Sequence, residues 1–271
     1  EKMLAPMYHI LKGHHHIKTL SMAKGTWDLA IILDCGDKDR IGTVKELLSL
    51  EAPIVNIDHH FTNVRFGKVN CVHPDASSTA EILFEMFKAF NMKLSKTIAQ
   101  LLYIGILTDT GSFRYQNTTA RTHQIVSELL TLGILPASVY RQIYEDLKSK
   151  DFKLLLSVAS RAQHLAGGKV VSLCLSEKIL DQAGGAFDLK DKLFSLFRMV
   201  KSIQVIVLFS KITRNKTRIN LRSTGSANVA AIAKVFGGGG HKAASGCILE
   251  RDIEQAQKMV LKEILKKVQG R

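Results

Sequence analysis

Residues 53–60 read PIVNIDHH, an apolar run that ends in one aspartate and two histidines. The preceding apolar run, residues 29–34, reads LAIILD and ends in an aspartate in the same way. Continuous apolar runs of this length predict strands that are covered on both faces, as in a parallel sheet. In an open parallel sheet, ligands bind outside the carboxyl ends of the strands, so the polar residues that end both runs are predicted to share one crevice.

Helical segments alternate with these strands. Residues 43–50 are helical in character, and residues 75–90 carry apolar side chains at helical spacing after small capping residues. Ser95 is predicted to cap a further helix, which the sequence TDTG at residues 108–111 stops. The alternation predicts an α/β domain in which helices cover both faces of a parallel sheet.

A polar interval, residues 145–153 (EDLKSKDFK), separates two apolar regions. It is the predicted boundary between a domain of residues 1–148 and a smaller α/β domain of residues 149–271. Beyond the boundary, strands are predicted at residues 169–175, 203–211 and 217–223. Residues 236–246 are predicted to form a glycine-rich connector, and residues 252–268 an amphipathic terminal helix.

Composition is typical of a folded protein. The chain has 271 residues, of which 46% are apolar and four are proline, a size that allows two domains with cores of their own. Its apolar runs are far shorter than the roughly 20 residues that cross a bilayer, so we expect a soluble protein. The four cysteines form no C-x-x-C pair, which argues against a thiolate zinc site and favours the reducing cytoplasm.

The whole chain has a formal net charge of +14, and most of this positive charge lies in its second half. Residues 149–271 hold 22 Lys and Arg against 9 Asp and Glu, whereas residues 1–148 hold 16 against 15. This asymmetry suggests one domain that gathers carboxylates for chemistry and another that offers cations to a polyanion such as nucleic acid. A solvated, lysine-rich surface would give the same counts, so charge alone does not decide.

Carboxylates and imidazoles from separate segments form a candidate metal site. Asp34 and His59 follow strands, and Asp109, on a turn rich in threonine and glycine, completes the set. Carboxylate oxygen and neutral imidazole suit Mn²⁺, Mg²⁺ or Zn²⁺, and no thiolate is placed to soften the site. Taken one at a time, Asp34 is equally well explained as a helix cap and His59 as a loop histidine. Only their combination carries the prediction.

These residues resemble motifs of a known family. Asp34, the triplet Asp58-His59-His60 and the segment GILTDTGSF at residues 105–113 resemble three of the four motifs of the DHH phosphoesterases. The pair RS at residues 222–223, followed by GGGGHKAASG at residues 237–246, resembles the substrate-binding signature of the DHH-associated domain, DHHA1. In size and signature the chain is most similar to members that degrade very short oligoribonucleotides and remove phosphate from nucleoside 3′,5′-bisphosphates.

The resemblance implies a site with two divalent metal ions, usually Mn²⁺, with Mg²⁺ as the alternative. It implies that Asp34 bridges both ions and that His59 and Asp109 bind one of them. His60 would face the substrate phosphate. Asp58 would act from behind the ligands by fixing the neighbouring groups.

In the second domain the resemblance implies a substrate grip made of Arg222, Ser223, Gly238, Gly239, Gly240 and His241. It would hold the end of a short nucleic acid whose scissile phosphate lies on the metals of the first domain. Consecutive glycines let backbone N–H groups approach a phosphate, although such a run is also typical of a flexible turn. Arg114 and Asn117 are candidates for contact with phosphate or ribose, or are simply solvated.

Active members of the family also begin with a strand that ends in a His-x-x-x-Asp-x-Asp motif, which supplies the remaining metal ligands. This chain has no such motif and starts at Glu1. We expect the first strand and helix of the domain to lie upstream, in an active enzyme. Without them one ion would keep only Asp34, and catalysis would be impaired.

The leading hypothesis is a metal-dependent phosphoesterase that hydrolyses short oligoribonucleotides, nucleoside 3′,5′-bisphosphates or both. One alternative is a RecJ-like single-strand exonuclease or a phosphodiesterase of linear or cyclic dinucleotides; the short chain argues against the RecJ-like form. The other alternative is a non-catalytic module that captures short nucleic acids. No membrane partner is expected, and the oligomeric state, a homodimer included, stays open.

Overall fold

The computed structural model describes residues 11–23, 27–48, 52–145, 147–184, 188–225 and 227–269. The chain divides into two compact units, Glu1–Asp146 and Leu147–Arg271. The predicted α/β class is confirmed, because the first unit holds a parallel sheet with helices and the second a mixed sheet with helices. None of the helices that the structure describes combines the length and the apolar character that a membrane crossing requires.

The first unit is built on parallel strands whose order in the sheet follows their order in the chain. The described strands are β1 (Ala30–Leu33), β2 (Ile54–Asp58) and β3 (Val69–Val72). The register places Leu33 opposite Ile57, and the N–H group of Asp34 donates to the carbonyl of Ile57 (3.0 Å). The residues that follow β1 and β2 therefore lie side by side, beyond the carboxyl ends of both strands.

Strand β1 is less buried than its apolar sequence predicts. The side chains of Ile31 and Leu33 are 60% and 47% exposed, whereas Ile57 in β2 is buried. Ile31 and Leu33 lie two residues apart and share the exposed face of β1, whereas Ala30 and Ile32 on its other face are half-buried. The prediction of a strand covered on both faces was wrong for β1.

The α-helices of the first unit follow the sheet in the chain. Those that the structure describes are α1 (Thr79–Ala89), α2 (Lys96–Asp109), α3 (Ala120–Leu130) and α4 (Pro136–Tyr144), and short 3-10 helices lie before them at His14–His16, Leu20–Met22 and Lys38–Leu47. Ser78 caps α1 and Ser95 caps α2 by accepting hydrogen bonds from backbone N–H groups of the first turn. The capping predicted for Ser95 is thus confirmed. Phe84, Ile106 and Ile125 are among the buried side chains that join α1, α2 and α3.

Helices α1 and α2 approach closely at one glycine. A Cβ atom on Gly105 would lie 2.7 Å from the Cβ atom of Ala80, closer than two carbon atoms can pack. Gly105 lies about one helical turn before Asp109, the last residue of α2. The close contact therefore also sets where α2 ends relative to α1.

The second unit is built on a mixed sheet. Its described strands are β4 (Gln163–Leu165), β5 (Val170–Leu175), β6 (Val205–Thr213), β7 (Lys216–Ser223), β8 (Gly239–His241) and β9 (Ala244–Leu249). Their order in the sheet is β4-β5-β6-β7-β9-β8. Strands β5 and β6 are parallel, and the other neighbours are antiparallel.

Helices pack around this second sheet. Those that the structure describes are α5 (Ser149–Ala159), α6 (Glu177–Ala183), α7 (Leu189–Arg198), α8 (Val229–Val235) and α9 (Ile253–Gln269). Helix α9 packs against β6 and β7, and it buries Ala256, Val260 and Ile264. This four-residue spacing confirms the predicted amphipathic helix.

The glycine-rich segment predicted as a connector is in part the edge strand β8. Its register places Gly240 opposite Ser245 and His241 opposite Ala244. A Cβ atom on Gly240 would lie 2.5 Å from the carbonyl oxygen of Ala244, and one on Gly238 would clash with Cys247. Glycine is needed because β8 packs tightly on β9. Alternation of side chains, the usual signal of a strand, is absent from a run of glycines.

We expect Gly105→Ala to lower the free energy of unfolding of the first unit by about 1–3 kcal/mol, because the added methyl group must push α1 and α2 apart. Urea unfolding followed by Trp27 fluorescence measures this, since Trp27 is the only tryptophan and lies in the first unit. In the background of Ala80→Gly the same change should cost less, because its collision partner is gone. An equal loss of unfolding free energy in both backgrounds would contradict a close contact between Gly105 and Ala80.

Candidate metal centre

The aspartate that ends β2 organises the two histidines that follow it. Asp58 is fully buried, and its Oδ1 atom accepts hydrogen bonds from the backbone N–H of His59 (2.9 Å) and from Nδ1 of His60 (2.7 Å). Its Oδ2 atom accepts a hydrogen bond from Nδ2 of Asn63 (2.6 Å). Burial by itself raises the pKa of Asp58, but the hydrogen bonds from His60 and Asn63 lower it by more. The net pKa lies below its usual value, so Asp58 is a carboxylate.

His59 directs one ring nitrogen at the backbone and the other at two carboxylates. Its Nδ1 atom lies 3.2 Å from the carbonyl oxygen of Ala76. Because a carbonyl can only accept, Nδ1 carries the proton. The Nε2 atom lies 3.6 Å from Oδ1 of Asp34 and 3.2 Å from Oδ2 of Asp109. Histidines that bind metals are commonly oriented in this way, by an N–H donated to a carbonyl behind the ring.

Asp34 follows β1 in a left-handed backbone conformation, with φ at 57°. Aspartate adopts this conformation more readily than most residues. The hydroxyl group of Thr79 donates to Oδ1 of Asp34 (2.8 Å), and 54% of the Asp34 side chain is exposed. The carboxylate is therefore held at one oxygen atom and accessible from solvent.

Asp109 is the last residue of α2, whereas the sequence suggested a turn. Burial raises the pKa of Asp109 above its usual value; the imidazole of His59 opposes this shift, and the carboxylate of Asp34 adds to it. Asp34 and Asp109 thus bring two negative charges close to the same imidazole nitrogen. A divalent cation placed among these three side chains would relieve their repulsion.

Asp34, His59 and Asp109 offer donor types that suit a divalent metal ion, but the described cluster whose ligand atoms all lie within 4.8 Å of one another is Asp34, His59 and His60. Ligand atoms about 2.1 Å from one ion lie roughly 3.0–3.5 Å apart. The distances from His59 Nε2 to the two carboxylates, 3.6 Å and 3.2 Å, are close to that range. Oxygen and imidazole donors without a thiolate suit Mn²⁺, Mg²⁺ or Zn²⁺.

His60 belongs to a related cluster. Among the residues that the structure describes, Asp34, His59 and His60 offer ligand atoms that lie within 4.8 Å of one another. The Nδ1 atom of His60 is 3.9 Å from Oδ1 of Asp34 but only 2.7 Å from Oδ1 of Asp58. Asp58 therefore sets the orientation of the His60 ring at the rim of the donor set.

Arg222 lies on the less buried face of β7 in the second unit, together with Arg218 and Asn220, as the alternating sequence predicts. Its guanidinium carbon lies 4.7 Å from the centroid of the Phe194 ring, and Nη1 donates to the carbonyl of Leu221 (3.1 Å). The stacking and the hydrogen bond both restrict the guanidinium plane.

The other residues of the predicted grip have different surroundings. Ser223 is buried, and its hydroxyl donates to the carbonyl of Lys242 (3.4 Å), so it ties β7 to the end of the glycine segment. The N–H of Gly238 donates to the carbonyl of Ala233 (2.9 Å) and is not available to a phosphate. The exposed residues Gly239, Gly240 and His241 form β8.

The turn after α2 holds the two remaining candidates. Arg114 is exposed, and its Nε atom donates to the carbonyl of Gly111 (2.7 Å), which stabilises this turn. Asn117 is directed inward, at the backbone of Ser77 and Asp109. These contacts account for part of the donor capacity of Arg114 and for both amide hydrogens of Asn117.

Sequence motifs missed several contacts that orient the centre. Thr79 lies in the segment of small residues that the sequence predicts as a helix start, yet its hydroxyl donates to Asp34. Asn63 was not singled out, although it donates to Asp58. The carbonyl of Ala76 has no side-chain signal at all. Thr79 and Asn63 could have been suspected because they lie close to the ligands in the sequence. The groups that they contact could not have been predicted in this way.

Two sequence profiles match the chain. The profile described as the DHH family, N-terminal domain, matches residues 3–106, and the profile described as the DHHA1 domain matches residues 182–269. The first match contains Asp34 and the triplet that ends β2. The second contains Arg222 and His241.

Curated relatives span most of the chain. The bifunctional oligoribonuclease and PAP phosphatase NrnA of Thermus thermophilus is 32% identical over 86% of this chain and 69% of its own length. The probable enzyme of the same name from Streptococcus mutans is 33% identical, over 86% of this chain and 76% of its own length. The crystal structure of an exopolyphosphatase-related protein from Bacteroides fragilis matches with a TM-score of 0.80 and 26% identity, over 88% of this chain and 71% of that chain.

Asp58→Asn should lower the free energy of unfolding of the first unit by about 1–3 kcal/mol, because the new amide N–H₂ group faces a protein donor in a buried site. Urea unfolding monitored by Trp27 fluorescence measures the change. Asp75→Asn is the matched control: Asp75 is exposed in the same unit, so the effect should stay within about 0.5 kcal/mol. An Asp58→Asn protein as stable as this control would contradict the buried role of Asp58.

Proposed function

This chain belongs to the DHH family of phosphoesterases, and on that premise we propose that it hydrolyses short oligoribonucleotides and removes phosphate from nucleoside 3′,5′-bisphosphates. The names of the relatives from Thermus thermophilus and Streptococcus mutans support both substrate classes. The observation that carries the proposal is the His59 ring, whose Nε2 atom faces the carboxylates of Asp34 and Asp109. Such a donor set is useful to a phosphoesterase only when it binds cations.

Asp34, His59 and Asp109 are the residues proposed to hold divalent metal, with two ions, Mn²⁺ first and Mg²⁺ second, as the cofactors. When bound, such ions supply a hydroxide nucleophile at neutral pH and neutralise charge that develops on the phosphoryl group. The protein's own contribution is orientation. Ala76 fixes the tautomer of His59, and Thr79 holds one oxygen of Asp34.

His60 is proposed to contact the substrate phosphate. Its Nδ1–H is engaged by the buried carboxylate of Asp58 (2.7 Å), which fixes the orientation of the ring. Asp58 acts through His60 and does not itself touch the substrate.

The second unit is proposed to bind the rest of a short, single-stranded oligonucleotide. Arg222 offers a planar charged group restrained by Phe194, and His241 lies exposed on the edge strand β8. The excess of lysine and arginine in residues 149–271 favours a polyanionic partner. Ser223 and Gly238 support the shape of this surface through their backbone contacts. The free thiols of all four cysteines fit a cytoplasmic location.

The full-length protein should hydrolyse a dinucleotide with Mn²⁺ and lose this activity when the metal is chelated. Asp34→Asn should lower kcat about a thousand-fold, equivalent to about 4 kcal/mol of transition-state stabilisation, because a carboxylate ligand is lost. Asp75→Asn controls for the loss of an exposed carboxylate. Release of mononucleotides and of inorganic phosphate is followed by chromatography.

Three outcomes would contradict the proposed function. Hydrolysis that survives chelation would exclude the metal centre. Cleavage of long single strands in preference to dinucleotides would favour a RecJ-like exonuclease. Capture of a labelled oligonucleotide without hydrolysis, insensitive to Mn²⁺ and weakened steeply by salt, would identify a binding module.

Arg222→Gln should raise KM for a dinucleotide about 10–100-fold and change kcat much less, because a charged hydrogen bond to the bound substrate is lost away from the reacting bond. Arg222→Lys keeps the charge but not the fork, so it should recover only part of the loss. Arg218→Gln removes the same charge from the same face of β7 and serves as the control. An Arg222→Gln protein with the KM of this control would remove Arg222 from the substrate site.

A further inference from the structure

The side chain of Asn117 spans two backbone segments of the first unit. Its Nδ2 atom donates one hydrogen bond to the carbonyl of Ser77 (2.8 Å) and another to the carbonyl of Asp109 (3.2 Å). An amide nitrogen has two hydrogens, so both are used. The Oδ1 atom is buried and accepts no hydrogen bond from any residue that the structure describes. Asn117 therefore has little left to offer a phosphate or a ribose.

Each of these carbonyls lies next to a group of the metal centre. Ser77 directly follows Ala76, whose carbonyl accepts the Nδ1–H of His59. Asp109 carries the carboxylate that lies 3.2 Å from the other nitrogen of the same ring. A single amide group thus links the backbone behind His59 to the backbone that carries Asp109.

The side chain of Glu81, four residues further along the chain, also holds Ser77 in place. Glu81 is buried, and its Oε2 atom accepts hydrogen bonds from the N–H (3.2 Å) and the hydroxyl (2.5 Å) of Ser77. The same oxygen accepts from the hydroxyl of Thr122 in α3 (3.1 Å). Because Ser77 is fixed by Glu81, a displacement of Asn117 is transmitted to Asp109 more than to Ala76.

We propose that Asn117 is a positioning residue that sets the separation between His59 and Asp109, and that it is not a substrate contact. The inference rests on the proposed metal-dependent function. Metal affinity depends steeply on ligand spacing, and loss of a group that orients a ligand commonly costs 10–100-fold in affinity. Without the amide, the carbonyl of Asp109 loses this hydrogen bond, and the end of α2 can shift away from His59.

The test compares Mn²⁺ binding with substrate binding in Asn117→Asp. Aspartate has the size of asparagine but no N–H groups, and its charge repels both carbonyls. Electron paramagnetic resonance of free Mn²⁺ during a titration should give a Kd about 10–100-fold higher than that of the unchanged protein. With Mn²⁺ raised to saturation, KM for the dinucleotide should return to its original value.

Asn70→Asp is the matched control. Asn70 also bridges backbone groups, accepting from the N–H of Gly67 (3.0 Å) and donating to its carbonyl (2.6 Å), but it lies on β3 away from the ligands. Its Mn²⁺ affinity should match that of the unchanged protein. If Asn117→Asp fails the fluorescence test of folding, Asn117→Ala removes the same donors without adding charge, and the same loss of Mn²⁺ affinity is expected.

Two results would overturn the inference, and they are distinguishable. If the unchanged protein binds no Mn²⁺, the metal centre and the proposed function fail together. If the unchanged protein binds Mn²⁺ and the folded Asn117 variant binds it equally well while its KM rises, only the positioning role fails, and Asn117 is a substrate contact.

Discussion

The candidate centre depends on one imidazole ring that is held from both sides. His59 donates its Nδ1–H to the carbonyl of Ala76 and turns Nε2 toward the carboxylates of Asp34 and Asp109. Each of these groups comes from a different element, so the surroundings of the ring depend on how the elements of the first unit are packed. If β1 or α2 shifted, the carboxylate of Asp34 or of Asp109 would move away from the His59 ring. Two carboxylates close to one imidazole nitrogen place oxygen and nitrogen donors together, an arrangement that suits a divalent cation.

Much of this could be predicted from the sequence, because the relevant signals are local. An apolar run that ends in Asp58 and two histidines predicts a buried strand with ligands at its end, and Ser95 before a periodic segment predicts a helix start. The family resemblance and the α/β class followed from the order of such signals and are confirmed by the matching profiles and the fold. Signals that depend on neighbours were weaker. The exposure of Ile31 depends on what covers that face of the sheet and not on the strand's own residues.

The glycine segment shows where local reasoning fails. Four consecutive glycines are typical of a flexible turn, but here Gly240 is needed because the backbone of β9 lies where a side chain would be. The family resemblance groups Ser223 with Arg222, yet alternation along β7 buries Ser223 and leaves Arg222 on the less buried face. A sequence motif therefore locates a surface, but it does not distinguish the residues that shape this surface from the residues that contact a ligand.

The same distinction applies to the polar residues of the first unit. A buried polar group is costly unless its hydrogen bonds are made, so the buried Glu81 and the half-buried Asn117 must be explained by the groups that they hold. Glu81 gathers donors from Ser77 and Thr122, and Asn117 gathers carbonyls from Ser77 and Asp109. The buried Oδ1 of Asn117 gains no such compensation from the described residues. An asparagine kept there at that cost is better explained by the placement of its two N–H groups than by stability, and those groups point at the backbone on either side of the imidazole.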